Sequence, residues 1–190
     1  MLFVLITMTR SWSPHTLPIK DCHVLESFTC LRVATGSLDR SVVIYDIHQA
    51  TVVLRLSFPA SIESLTCNST QDFLCAGGST GSIYLVDLTM TAATLSTSHS
   101  LVRHQSVVNR PVVVGGVGTA KQLECGENGS VFEGHSKTVT SLCFSSSDNC
   151  ILVSGSMDGS VRTWNVLTRQ CLNEYFPLSR LGITNLKVRT

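Results

Sequence analysis

Residues 134–166, GHSKTVTSLCFSSSDNCILVSGSMDGSVRTWNV, hold three apolar runs of strand length with turn residues between them. The runs are Val139–Phe144, Ile151–Ser154 and Ser160–Val166. Their lengths and the turn residues predict a three-stranded meander. In the first run Val139, Ser141 and Cys143 alternate with Thr140, Leu142 and Phe144, so both faces are largely apolar and the sheet must be covered on both sides. Asp158-Gly159 sits between two runs, where a tight hairpin needs a positive φ that glycine supplies at no steric cost.

Four polar residues punctuate this stretch: His135 before the first strand, Ser154 in the second, Asp158 in the turn and Trp164 in the third. A histidine and an aspartate beside a packed sheet are costly unless every polar atom finds a partner, and these four supply complementary donors and acceptors. The reading is a structural hydrogen-bond network of His135, Ser154, Asp158 and Trp164. The pattern recurs from His15, with strands at 18–23, 31–35, 41–47 and 51–58 and a second probable network of His15, Thr35, Asp39 and Tyr45. His15 to Thr35 is 20 residues against 19 for His135 to Ser154, and both copies then take four residues to the turn aspartate. A further copy, over 62–67, 73–76 and 82–88, lacks both the histidine and the aspartate.

These features resemble the WD-repeat family, with Trp164-Asn165 standing for its signature dipeptide. The turn at residue 80 follows the first by 41 residues, near the period of about 40–45 of such repeats, and the next turn is 78 further on. Residues 89–128 carry no repeat signature and read as an insertion in the second copy, with 131–135 as its returning outer strand and the loop into the third; one whole degenerate blade is the alternative. The expected organisation is therefore 1–14 as the end of a preceding blade or an artefactual start, 15–58 as a blade, 59–134 as a blade with its insertion, 135–177 as a blade, and 178–190 as the start of the next. The fold class is all-β, a partial WD-repeat β-propeller of about three four-stranded blades. Three copies are too few to close a ring of four to eight, so the repeats are expected to belong to a longer array or to pair with another partial propeller.

Within the family, the runs HTLPIKD (15–21), RVATGSLD (32–39) and CAGGSTGSI (75–83), with Val86-Asp87-Leu88, resemble the WD-repeat subunit of the rixosome. That resemblance implies a non-enzymatic scaffold of the nucleus, nucleolus and nucleoplasm. Its implied partners are the other rixosome subunits, the remodelling ATPase midasin and the pre-60S particle, with a role in removing internal transcribed spacer 2. A WD-repeat scaffold of another pathway is the alternative that the repeats alone leave open.

Charge points the same way. Fourteen basic against thirteen acidic residues leave a net +1, which offers no electrostatic footprint for nucleic acid or an anionic membrane. The 43% hydrophobic content with 14% charged residues describes a folded chain. Of eight cysteines, Cys22, Cys67, Cys75, Cys143 and Cys171 fall in strand-like apolar runs without metal-ligand spacing, and read as reduced core thiols of an intracellular protein. The sequons at Asn68 and Asn128 are discounted on that ground. MLFVLITM at the start lacks the basic region of a signal peptide and is short of a membrane span.

Three motifs suggest chemistry, and their contexts oppose it. Gly77-Gly78-Ser79-Thr80-Gly81 matches the nucleophile elbow that would make Ser79 a serine-hydrolase residue, yet a strand-like run follows where the elbow needs a helix. His135, Ser154 and Asp158 have triad residue types but place the serine mid-strand. VVVGGVGTAK (112–121) lacks the Gly-Lys-Ser/Thr of a phosphate loop, and His99 and His104 have no partner at ligand spacing. No catalytic residue, cofactor or metal is expected.

Overall fold

The computed structural model describes residues 11–26, 31–88, 112–114, 121–124, 131–146, 148–177 and 181–187. Strands β1 (Ile19–Glu26), β2 (Leu31–Ser37), β3 (Ser41–Asp46) and β4 (Thr51–Ser57) form one antiparallel meander. A second sheet holds β5 (Ile62–Cys67), β6 (Phe73–Gly78), β7 (Ile83–Asp87) and, completing it after a long excursion, β10 (Val131–Phe132). The third is β11 (Val139–Phe144), β12 (Ile151–Ser156), β13 (Val161–Asn165) and β14 (Gln170–Tyr175).

The region expected to be a plain insertion carries two short strands of its own. β9 (Lys121–Glu124) adds parallel to β4 over Leu54–Ser57, and β8 (Val112–Val114) pairs antiparallel with β9, so the first sheet has six strands. The sequence hid them because the second sheet spends no repeat signature on them; their partner is the outer edge of the neighbouring sheet. The glycine-rich stretch at 115–120, His99, His104, Asn128 and Met1–Met8 lie outside the described residues.

The three sheets repeat one another in detail. Each inner strand opens with a register shift, between Ile19 and Asp21, Ile62 and Ser64, and Val139 and Ser141. Each second strand then offers a glycine to its neighbour. A Cβ added to Gly36 would lie 2.7 Å from Ile62, one on Gly77 2.3 Å from Ser64 Oγ and 2.8 Å from Val139, and one on Gly155 2.6 Å from Ile183. Only a residue without a side chain lets successive sheets stack this closely.

The interfaces are the core. Val42, Leu54, Leu56, Ile62, Leu65 and Leu74 are buried in one cluster, and Cys75, Ile83, Phe132, Val139, Leu152 and Trp164 in the next. Polar side chains stitch the same seams: Leu65 N–H donates to Asp21 Oδ2 at 2.7 Å, and Ser64 Oγ donates to the Val139 carbonyl at 3.0 Å. Residues 181–187 continue this pattern without regular strand pairing. Leu186 N–H donates to Ser141 Oγ at 2.9 Å, the bond Leu65 makes with Asp21, while Ile183 sits over Gly155 and its carbonyl accepts from Thr140.

The cysteine expectation needs correction. Cys67 and Cys75 are buried, but Cys22 and Cys171 are exposed, because β1 and β14 each carry a face that no described sheet covers. None of the six described cysteines is joined in a disulfide. Burial pushes the Cys67 thiol up to about 12 and Cys75 well above the ordinary range. Asn68 is buried, with Oδ1 accepting from Phe73 N–H at 2.9 Å and Nδ2 donating to Thr70 at 2.6 Å, so its amide is already engaged in the β5–β6 turn.

Candidate functional site

The polar constellation of the third sheet is built from three places in the chain. His135 comes from the loop before β11, Ser154 from mid-β12, and Asp158 and Ser160 from the β12–β13 turn. Gly159 holds φ at +82° there, which frees Asp158 to fold back over its own turn. Trp164 Nε1–H donates to Ser154 Oγ at 2.8 Å, and Ser154 Oγ is 2.7 Å from His135 Nε2. The Asp158 carboxylate beside Nδ1 can only accept, so the proton of the neutral imidazole lies on Nδ1; Nε2 is then an acceptor, and the Ser154 hydroxyl, which takes the indole N–H on a lone pair, donates to it. Nδ1 stands 3.1 Å from Asp158 Oδ2 and 2.9 Å from Ser160 Oγ. The carboxylate also accepts from Ser136 N–H at 2.9 Å, Ser160 N–H at 2.8 Å and the Ser160 hydroxyl at 2.7 Å.

Burial by itself pushes the Asp158 carboxyl up, but the Ser160 and Ser136 hydrogen bonds and the neighbouring His135 outweigh it and hold the group at about 2. Burial lowers the pKa of His135, and the Asp158 carboxylate offsets that only in part. At neutral pH the pair is therefore a neutral imidazole donating to a carboxylate, not an ion pair.

The first sheet repeats the arrangement with one member missing. His15 Nδ1 lies 3.0 Å from Asp39 Oδ2 and from Ser41 Oγ, and His15 Nε2 2.8 Å from Thr35 Oγ1. Asp39, accepting from Ser41 and from Thr16 N–H, is likewise held at about 2 against the upward push of burial. Tyr45 stands apart from this cluster. Its ring stacks on Trp12 at a centroid distance of 4.1 Å, much as Trp164 packs against Phe132 at 5.5 Å. A phenol is too differently shaped to aim its oxygen at mid-β2 from the site where an indole reaches Ser154.

Two serines escaped sequence reading, Ser41 and Ser160, although each lies two residues beyond its turn aspartate and that spacing was visible. Asn165 also has a role: its Oδ1 accepts from Leu167 N–H at 2.9 Å and Thr168 N–H at 3.0 Å, as Asp46 accepts from Gln49 N–H at 2.9 Å. The second sheet gives up the three interior members together and keeps polar residues, Thr80 and Ser82, at the turn positions of Asp158 and Ser160. By register Phe58, Ala76 and Val86 stand where the third sheet has His135, Ser154 and Trp164, and all three are buried.

Neither serine motif is arranged for catalysis. Ser79 lies in the β6–β7 turn with its N–H on the Ser61 carbonyl at 2.9 Å and its carbonyl accepting from Thr138 at 3.0 Å, and the strand β7 follows. Ser154 is fully buried, so no substrate reaches its hydroxyl. Along the inner strands runs an open polar cleft of about 540 Å³, across which Lys20 and Glu63 pair at 3.2 Å. Among the described residues no group of three His, Cys, Asp or Glu could hold a metal ion, and no helix is long and apolar enough to cross a membrane.

Stacked four-stranded meanders, each inner strand seated on its neighbour's glycine and two of them locked by a histidine–aspartate network, define a WD-repeat β-propeller. The comparisons agree: the profile "WD domain, G-beta repeat" matches residues 126–165, and the chain belongs to the WD-repeat family. Within it, the chain is similar to WD repeat-containing protein 18 of Mus musculus, at 36% identity over 85% of this chain and 32% of that protein. It is also 26% identical to the pre-rRNA-processing protein crb3/ipi3 of Schizosaccharomyces pombe, over 79% of this chain and 34% of that one. The solved structure of U3-55K superposes with a TM-score of 0.62 at 15% identity, covering 87% of this chain and 41% of that one, a likeness of fold alone. The chain spans about a third of the length of the curated relatives it matches.

Proposed function

We propose that this chain is a non-enzymatic scaffold of ribosome biogenesis, acting on the pre-60S particle and in the processing of internal transcribed spacer 2. The observation that carries this reading is the joint similarity to WD repeat-containing protein 18 and to a pre-rRNA-processing protein over more than three quarters of the chain. Its partners are then other rixosome subunits and the ATPase midasin, and its place the nucleus and nucleolus. The repeat units run 15–58, 59–134 and 135–177, with 178–190 as the start of the next. The two histidine networks hold the sheets' geometry and carry no chemistry.

With a net charge of +1 the chain has little of the counterion-release driving force that dominates phosphate binding, so attachment to a pre-ribosome runs through protein. The tagged protein should co-sediment with large-subunit precursors, and its depletion should accumulate precursor RNA that retains the spacer. Sedimentation only in light fractions, with precursor RNA unchanged, would leave a WD-repeat scaffold of another pathway.

A further inference from the structure

A β-strand edge is a row of unpaired donors and acceptors, and proteins that do not use one usually blunt it with lysine, proline or a cover. In the first sheet the outer edge is covered: β9 lies parallel against Leu54–Ser57 of β4. The third sheet has the same edge in the same register. Asp46 pairs with Thr51 and Asn165 with Gln170, and both outer strands show their shift in the same place, so Asn173–Phe176 corresponds to Leu54–Ser57.

Nothing among the described residues covers it. β14 is exposed along its whole length, and Leu172, Tyr175 and Phe176 present large apolar side chains beside the edge, Tyr175 at 65% exposure. Residues 170–176 contain neither lysine nor proline, and the single charge, Glu174, is turned back onto Arg162.

We infer that β14 is a strand-addition site that takes an extended segment of a partner protein, running parallel to Asn173–Phe176 as β9 runs to β4. Backbone hydrogen bonds would supply the grip, and the apolar side chains beside the edge would favour a segment that alternates apolar and polar residues. The parallel direction is the one this molecule itself uses at the equivalent edge, which sets it apart from antiparallel pairing of two copies about a dyad. This deepens the scaffold reading and rests on it.

The test has two arms. In the first, a synthetic peptide of residues 118–127 with Cys125→Ser, carrying the β9 sequence, is added at millimolar concentration to the full chain and amide exchange is followed. The expected result is at least threefold slower exchange over 173–176; unchanged exchange there overturns the inference. The second arm uses Glu174→Pro and Tyr175→Pro. Neighbouring N–H groups on a strand point to opposite edges, so one variant blocks only the outer edge and should melt with the parent. That variant should lose at least tenfold in co-sedimentation with pre-ribosomes. If it sediments like the parent, or if its only effect is to turn a dimer into a monomer, the inference fails. If the peptide protects β14 while the parent itself ignores pre-ribosomes, the edge stands and the ribosomal reading falls.

Discussion

At the scale of single residues, the third-sheet network is a directed chain of donors from Trp164 through Ser154 and His135 to Asp158. Removing one member strands the others, at about 1–3 kcal/mol for each buried group left without a partner. Asp158→Ala and His135→Ala should therefore each lower the melting temperature by several degrees, measured by thermal denaturation. Acid should act on the same residues. The Asp158 carboxyl is held at about 2 in the fold, below its ordinary 3.8, so its contribution is complete above pH 4 and is lost as pH falls toward 2. His135 moves in the same sense: its pKa lies below 6.5 in the fold, the unfolded chain takes up the proton first, and stability declines as pH drops through 6.5. A stability titration should show both phases, and Asp158→Ala should shrink the lower one.

At the scale of elements, the turns and the seams are the places where the sheets can be strengthened or spoiled. Gly81 and Gly159 occupy positive φ in the second and third β-turns, but the first has Arg40 at φ 66°. Arg40→Gly should stabilise by about 0.5–1 kcal/mol, the left-handed penalty less glycine's extra entropy, read from denaturant midpoints. Gly77→Ala should cost about 1–3 kcal/mol, since the new methyl meets the Val139 side chain of the next sheet 2.8 Å away. Much of this level was legible beforehand. Strand runs, turn aspartates and histidines lie close to one another in sequence, and their spacing carries the first and third sheets. What stayed hidden depends on contacts between distant parts: the addition of β9 to β4, the stacking of Tyr45 on Trp12, and the exposure of Cys22 and Cys171, which local apolar pattern cannot report. The coordinated loss of the network around Phe58, Ala76 and Val86 shows why a repeat can vanish from a signature while keeping its place. Replacing the three interior members together by apolar groups leaves no buried donor or acceptor stranded, and at the exposed turn Thr80 and Ser82 answer each other.

At the scale of the molecule, the sheets stack as nearest neighbours, and thiol chemistry offers a direct view of the result. Cys22 and Cys171 should react first with a soluble thiol reagent, whereas Cys67 and Cys75 should label only on unfolding, with labelled peptides assigned by mass spectrometry. Early labelling of Cys75 would mean that the second and third sheets separate readily. The path of the chain between Leu88 and Val131 gives the stack another property. It leaves the second sheet, lends β8 and β9 to the first, and returns to supply β10. A cut anywhere between 89 and 111 would therefore divide the backbone without dividing the assembly. One piece would keep β1–β7, the other β8–β14, and the second would hold the strands β8, β9 and β10 that finish both sheets of the first. The two halves, produced separately, should recognise each other and reconstitute the stack, a built-in split protein.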